Sequence, residues 1–182
     1  MKWIQRNSYP VVIILTVLLA AFVRLVFLDR FPTSISGDEL IYPFTAKAVS
    51  LTGTDITGTW GIFQSLLFKY PPNQLQAELP YFIHFPFMLL FPFSLYIVRL
   101  PYALFSIGTV ILLMLISNKI FNKKIAVAVG IIGAINPWNV VMGRTSYEAI
   151  LSTLLYLSLC YLLVTYKRKY IPLIIVTMFL AF

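Results

Sequence analysis

The sequence predicts an all-α fold: a polytopic transmembrane helical bundle, with two short interfacial helices in its first outer loop. Three observations predict it. The 182 residues are 60% hydrophobic and only 11% charged, whereas a soluble domain carries about 25% charged residues. Several apolar runs approach the roughly 20 residues that a helix needs to cross a bilayer. The basic residues cluster beside those runs. The net charge of +8 therefore reads as a topology signal. Membrane lipids are predicted partners and nucleic acid is not.

The spans are predicted at 10–28, 101–117, 125–142, 149–165 and 171–182. The last is too short to cross, so the chain reads as a single truncated transmembrane module over 1–182. The first run is longer than a signal-peptide core, contains Arg24 and lacks a small-x-small cleavage site. It reads as an uncleaved anchor. The run PYFIHFPFMLLFPF (80–93) is apolar but short and punctuated by prolines, which suits an interfacial helix. Cys160 lies in an apolar run as the one cysteine and reads as a packed small hydrophobe.

Charge arbitrates the topology. Lys2 and Arg6, then Lys119, Lys123 and Lys124, then Lys167, Arg168 and Lys169 flank the spans. All three groups fall on the cytoplasmic side only if 80–93 does not cross. The N-terminus is then cytoplasmic. Every acid (Asp29, Asp38, Glu39, Asp55, Glu78 and Glu148) then lies outside, in loops 29–100 and 136–148. Loops this long are usually functional or mobile.

In the first outer loop, TSISGDELIYPF (33–44) holds an Asp-Glu pair beside the bilayer. Ser36 and Glu39 match a capping box, opening a helix over 37–52 with Lys47 exposed, Pro43 near its first turn and Gly53 as its stop. Two readings stand side by side. First-turn acids are favoured by the helix dipole without any catalytic role. A partly desolvated carboxylate also suits a general base, with its neighbour orienting the proton or holding a metal. Asp55 reads as a turn former and Glu78 as a solvated helix residue. Lys69 reads as a snorkelling lysine or a phosphate contact. His84, the lone histidine, reads as a packing or interface residue, without partners for a soft-metal site. A second interfacial helix is expected at about 74–93.

In the second outer loop, INPWNVVMGRTSYEAIL (135–151) places Pro137 and Trp138 at the outer interface. Arg144 and Glu148 stand four apart and share a face, where they can pair, if the helix reaches back that far. Thr145 and Glu148 form a second capping box, opening the fourth span. Arg99, in VRLP, is expected to anchor to headgroups. Arg24, about one turn inside the first span, is a functional suspect as an intramembrane charge.

The order of an apolar span with Arg24, SGDELIY, AKAVSLTGTDITG, VRLP, NPW and GRTSYE resembles the N-terminal part of the GT-C glycosyltransferases. The likeness covers most of 10–165. Its nearest groups are the protein O-mannosyltransferase and aminoarabinose-transferase-like families, which have more spans and often a C-terminal outer domain. The resemblance implies a transferase of the (plasma) membrane that takes a sugar from a polyprenyl-phosphate donor to an acceptor on the outer face, with inversion. It implies Asp38 as base, Glu39 assisting, and Glu148 near the acceptor or a metal. It places Lys69 roughly where aminoarabinose transferases hold a phosphate-binding lysine, though Lys-Tyr-Pro-Pro stands here for their Lys-Pro. Lys69, Arg99 and Arg144 are the candidates to meet the donor phosphate. No cofactor follows with certainty. A divalent metal would fall to Asp38, Glu39 and Glu148. The piece alone is expected to be inactive.

Three rivals make different demands. A transporter or channel subunit predicts midplane charges and often inverted repeats, and neither is visible. A non-catalytic membrane subunit predicts that the acids are only caps and surface pairs. Another polyprenyl-phosphate enzyme would share the bases without needing the Asp-Glu pair. The acceptor, whether protein, glycan or lipid, is not legible in the residues.

Overall fold

The computed structural model describes residues 2–56, 58 and 78–181, excepting the side chains of 2–8, 38, 78 and 181. Among the described residues the chain is helical, with no strand. The elements are α1 (Lys2–Leu25), α2 (Gly37–Thr52), α3 (Glu78–Leu90), α4 (Leu95–Ile120), α5 (Lys123–Ile135), α6 (Pro137–Gly143) and α7 (Glu148–Val164). A 3-10 turn (Arg168–Tyr170) then leads into α8 (Ile171–Ala181).

Helix α4 is the axis. It packs against α1, α3, α5, α6 and α7, while α2 lies on α3 and α8 on α7. By length and composition α4 is the one described helix able to cross a bilayer unaided; α5 and α6 qualify together as a span bent by 58°. The described part of α1 (Tyr9–Leu25), together with α3 and α7, is apolar but shorter.

Local chemistry sets the boundaries. The Ser36 hydroxyl accepts from the Glu39 amide at 3.2 Å, and Gly53 ends α2 with φ 80°. Only a glycine adopts that left-handed conformation without strain. The expected bounds of α2 are those observed. The expected span at 101–117 begins instead at Leu95, because Ser94 caps it by accepting from the Ile97 amide at 3.3 Å. Arg99 therefore lies inside a helix, not ahead of one. The span expected at 125–142 starts at Lys123, where the Asn122 side chain accepts from the Lys124 and Ile125 amides. It breaks at Asn136. That residue closes α5 through its own amide and opens α6 by accepting from the Asn139 amide at 3.0 Å. Pro137 follows at a first-turn position that needs no N–H. Helix α3 ends at Leu90, before the expected 93, and 74–77 lie outside the described residues.

Three apolar clusters hold the helices. Tyr42, Ala46 and Val49 pack on Tyr81, Met88 and Val98. Ala20 meets Val110, Met114 and Ala134, and Tyr102 meets Ile150 and Leu151. Lys47 is not exposed as expected. Its Nζ donates to the Met88 carbonyl at 2.8 Å, satisfying one of the unpaired carbonyls in the last turn of α3.

Candidate functional site

The site is built around a buried ion pair. Glu39 enters from the first turn of α2 and Arg99 from the start of α4, and both side chains are essentially inaccessible. Arg99 Nε donates to Glu39 Oε1 at 2.6 Å and Nη2 to Oε2 at 3.2 Å. Nη1 donates to the carbonyls of Leu28 (3.1 Å) and Pro32 (3.0 Å), and Nη2 also to that of Ser34 (3.3 Å). A guanidinium has five N–H groups in a rigid fork, and here all five are engaged. Burying a charge is costly unless it is paired and hydrogen-bonded; Arg99 meets both conditions by folding the 28–34 connection around itself.

Glu39 reaches further. Its Oε1 accepts from the Ser146 amide at 3.3 Å. The Ser146 hydroxyl lies 3.0 Å from His84 Nε2, and His84 contacts the Pro80 carbonyl through Nδ1 (2.9 Å) and the Val98 carbonyl through Nε2 (3.1 Å). Burial lowers the His84 pKa, opposed by its two backbone contacts, so the ring is neutral at pH 7. With Nδ1–H on Pro80, Nε2 accepts from the Ser146 hydroxyl; with Nε2–H on Val98, the hydroxyl contact is secondary. The expectation of a packing histidine describes this position, although its contacts are polar.

Two more bonds join α2 to the turn before α7. The Tyr147 hydroxyl donates to Ser36 Oγ and the Tyr42 hydroxyl to Glu148 Oε2, both at 2.7 Å. Ser36, Glu39 and Tyr42 are spaced by three along α2 and meet Tyr147, Ser146 and Glu148 in turn. Helical residues three apart share a face, so one face of α2 docks on one turn. Glu148 is the exposed first residue of α7, an acid presented beside that junction.

Arg144 does different work from the expected pairing with Glu148. Its three nitrogens donate to the carbonyls of Phe31 (3.0 Å), Val23 (2.6 Å) and Phe27 (2.7 Å). These lie at the end of α1 and just beyond, where the backbone turns left-handed at Phe27 (φ 52°). Arg144 thereby caps the negative end of α1. It is 8% exposed, and its pKa is lowered by burial and by Arg99, against Asp29. It lies in the wall of an apolar recess of about 380 Å³ lined by Phe27, Phe31, Pro32 and Val140. Three of its five N–H groups are engaged with these carbonyls. Arg24 clamps likewise, donating to Ser106 Oγ (2.6 Å) and to the carbonyls of Ala20, Gly133 and Ala134.

Several expectations need correction. Arg99 has no N–H left for a donor phosphate. Glu39 does not reach back to Ser36 to complete the capping box, because its carboxylate is drawn across to Arg99. Thr145 does not cap α7; its hydroxyl donates to the Val141 and Met142 carbonyls, and the cap position is Tyr147 with no side-chain bond. Arg144 and Glu148 do not pair, because the helix begins only at Glu148.

The backbone of Asp38 sits in the first turn of α2, and its side chain lies outside the described residues, as does Lys69. Asp55 is buried, and its carbonyl closes a turn by accepting from the Gly58 amide at 3.0 Å. Sequence reasoning missed Tyr42, Ser146 and Tyr147. The signal for Tyr42 was its place one turn after Glu39. Ser146 and Tyr147 carried no such signal.

Of the three acids expected to hold a metal, Glu39 has both oxygens bound to Arg99, Glu148 accepts from Tyr42, and the Asp38 side chain lies outside the described residues. Among the described residues no three of His, Cys, Asp or Glu gather as ligands. A recess of about 440 Å³ between α4, α5, α6 and α7 is lined by Leu113, Ile132, Trp138, Met142 and Ile150 and contains no acid. Comparison with protein-family models, characterised proteins and solved structures finds no match to this chain, so its chemistry is read from its own residues.

Proposed function

We propose that this chain forms part of a polytopic membrane glycosyltransferase that moves a sugar from a polyprenyl-phosphate donor to an acceptor hydroxyl on the extracytoplasmic side. The observation that carries the reading is the docking of α2 on the 144–148 turn. It brings the segment bearing Asp38 to the same end of the bundle as the exposed carboxylate of Glu148. A membrane setting is supported by the apolar exterior. Leu18 (59% exposed), Phe22 (65%), Ile132 (62%) and Phe179 (78%) face outward, an arrangement that suits lipid and not water. Arg99 and Lys119 stand 20 residues apart on α4, about 30 Å at 1.5 Å per residue, which is about the thickness of a bilayer core.

In this mechanism Asp38 takes the proton of the acceptor hydroxyl. The freed oxygen attacks the anomeric carbon from the face opposite the phosphate, so the configuration inverts. The bond from that carbon to the phosphate oxygen breaks, and the polyprenyl phosphate leaves with the electron pair. Arg144 and Lys69 meet its charge, the kind of fixed electrostatic stabilisation that contributes most to such steps. Glu148, held by Tyr42, orients the acceptor. Glu39 and Arg99 touch no substrate and hold the first turn of α2 in place.

The test is a transfer assay with a polyprenyl-phosphate sugar and membranes carrying the full-length protein. Asp38→Asn is expected to lower the rate about 10²–10⁴-fold, the range of a general base. A folded Asp38→Asn protein with the wild-type rate would end this role. A second reading, a non-catalytic membrane subunit, is favoured by the saturation of Arg99 and Glu39. It predicts no transfer by the unsubstituted protein either.

A further inference from the structure

The far end of the bundle carries a different chemistry. No acid occurs between Arg99 and Glu148 or after Glu148, yet Lys119, Lys123, Lys124, Lys167, Arg168 and Lys169 are all exposed there. Among the described residues the one ion pair is Arg99–Glu39, so these cations carry no carboxylate partner. Two of them converge although 48 positions separate them in the chain. Lys119, at the end of α4, and Lys167, between α7 and α8, line a recess of about 370 Å³ with Tyr161, Leu162, Thr165 and Tyr170. The α4–α7 and α7–α8 packing forms this recess. Lys123 lies over the ring of Tyr9, and Lys169 over that of Tyr170, which is itself a wall of the recess.

We infer that this recess binds the headgroup of an anionic phospholipid of the inner leaflet. Two lysines lining a pocket with phenolic and aliphatic walls fit a phosphodiester joined to acyl chains. Tyrosine belongs at that depth, and basic pockets between helices on the cytoplasmic side take such headgroups. The inference rests on the membrane placement proposed above but not on sugar transfer.

The test uses the full chain in a neutral detergent, with short-chain phosphatidylglycerol, short-chain phosphatidylcholine and inorganic phosphate titrated separately. Binding is read by calorimetry and by thermal shift. Phosphatidylglycerol is expected to bind more tightly than either alternative. Each lysine near such a charge is worth about fivefold in affinity, so Lys119→Gln/Lys167→Gln is expected to weaken binding about thirtyfold. Lys123→Gln/Lys124→Gln, outside the recess, is expected to weaken it less. Should the first pair not fold, Lys167→Gln alone, in an exposed loop, is expected to cost about fivefold. Three results would each overturn the site: equal binding of the two lipids, phosphate binding as tightly as phosphatidylglycerol, or an equal loss in both lysine pairs. The last would mean a diffuse positive surface. Failure of the transfer assay on the full-length protein, with phosphatidylglycerol still bound here, would leave this site standing and remove only the enzymatic reading.

Discussion

Arg99 illustrates how a buried cation is made tolerable. Its surroundings contain one carboxylate and three carbonyls, and every N–H faces one of them. Removing the guanidinium would leave Glu39 buried without a counter-charge, a change that costs about 3–5 kcal/mol in comparable pairs. Arg99→Met is therefore expected to lower the unfolding free energy by about that amount. Arg30→Met, at an exposed position over the Phe27 ring, is expected to change it by no more than about 0.5 kcal/mol. Denaturant unfolding in mixed micelles measures both. Equal effects of the two substitutions would show that the buried pair does not organise the junction. The same comparison separates Glu39 from Asp38. The former acts through stability and the latter, in the proposed mechanism, through rate.

At the scale of elements, helix approach depends on missing side chains. A Cβ on Gly143 would run into Ser106, whose hydroxyl is already bonded to Arg24, and one on Gly130 would lie 2.5 Å from the Met114 sulfur. Neither glycine needs a positive φ; what each provides is space. Gly143→Ala is expected to destabilise by about 1–3 kcal/mol, as overpacking does, and to disturb the Arg24–Ser106 bond. Gly37→Ala, where a Cβ meets nothing within 4 Å, is expected to stay within about 0.5 kcal/mol. Thermal unfolding of the two variants side by side checks this. A Gly143→Ala protein as stable as Gly37→Ala would mean that α6 rides loosely on α4. The arginines act at this scale as well. Arg24 joins α1 to α4 and α5, Arg144 joins α1 to the turn after α6, and Arg99 joins the 28–34 connection to α4.

For the whole molecule, the charge distribution makes a directional statement. The junction of α2 with the 144–148 turn and the cluster of exposed lysines lie at opposite ends of α4. If α4 crosses the membrane, single cysteines introduced at Ser36→Cys and Asn122→Cys, in a Cys160→Ser background, are expected to label from opposite sides with an impermeant maleimide. Labelling of both from one side would refute the proposed topology and, with it, the placement of the lipid site.

Much of the fold was legible in the residues, for identifiable reasons. The bounds of α2 follow from a serine cap and a glycine stop, both local to the backbone they terminate. A short helix at 80–93 was expected from the length of the apolar run and its prolines, and α3 (Glu78–Leu90) is a short helix there. The site was less legible. Ser36-x-x-Glu39 and Thr145-x-x-Glu148 look alike as strings, yet only Ser36 caps. Four-residue spacing suggested an Arg144–Glu148 pair that a helix start at Glu148 forbids.

What the sequence by itself determined was the all-α class, the helices with their approximate ends, and the segregation of acids from bases along the chain. These depend on side-chain polarity and on backbone groups a few positions apart. The tertiary structure alone decided the partners. Arg99 meets Glu39 across 60 positions, Tyr42 meets Glu148 across 106, and Arg144 meets Val23 across 121. A buried guanidinium takes whatever acceptors packing brings within about 3 Å, and no local spacing encodes which carbonyls those are.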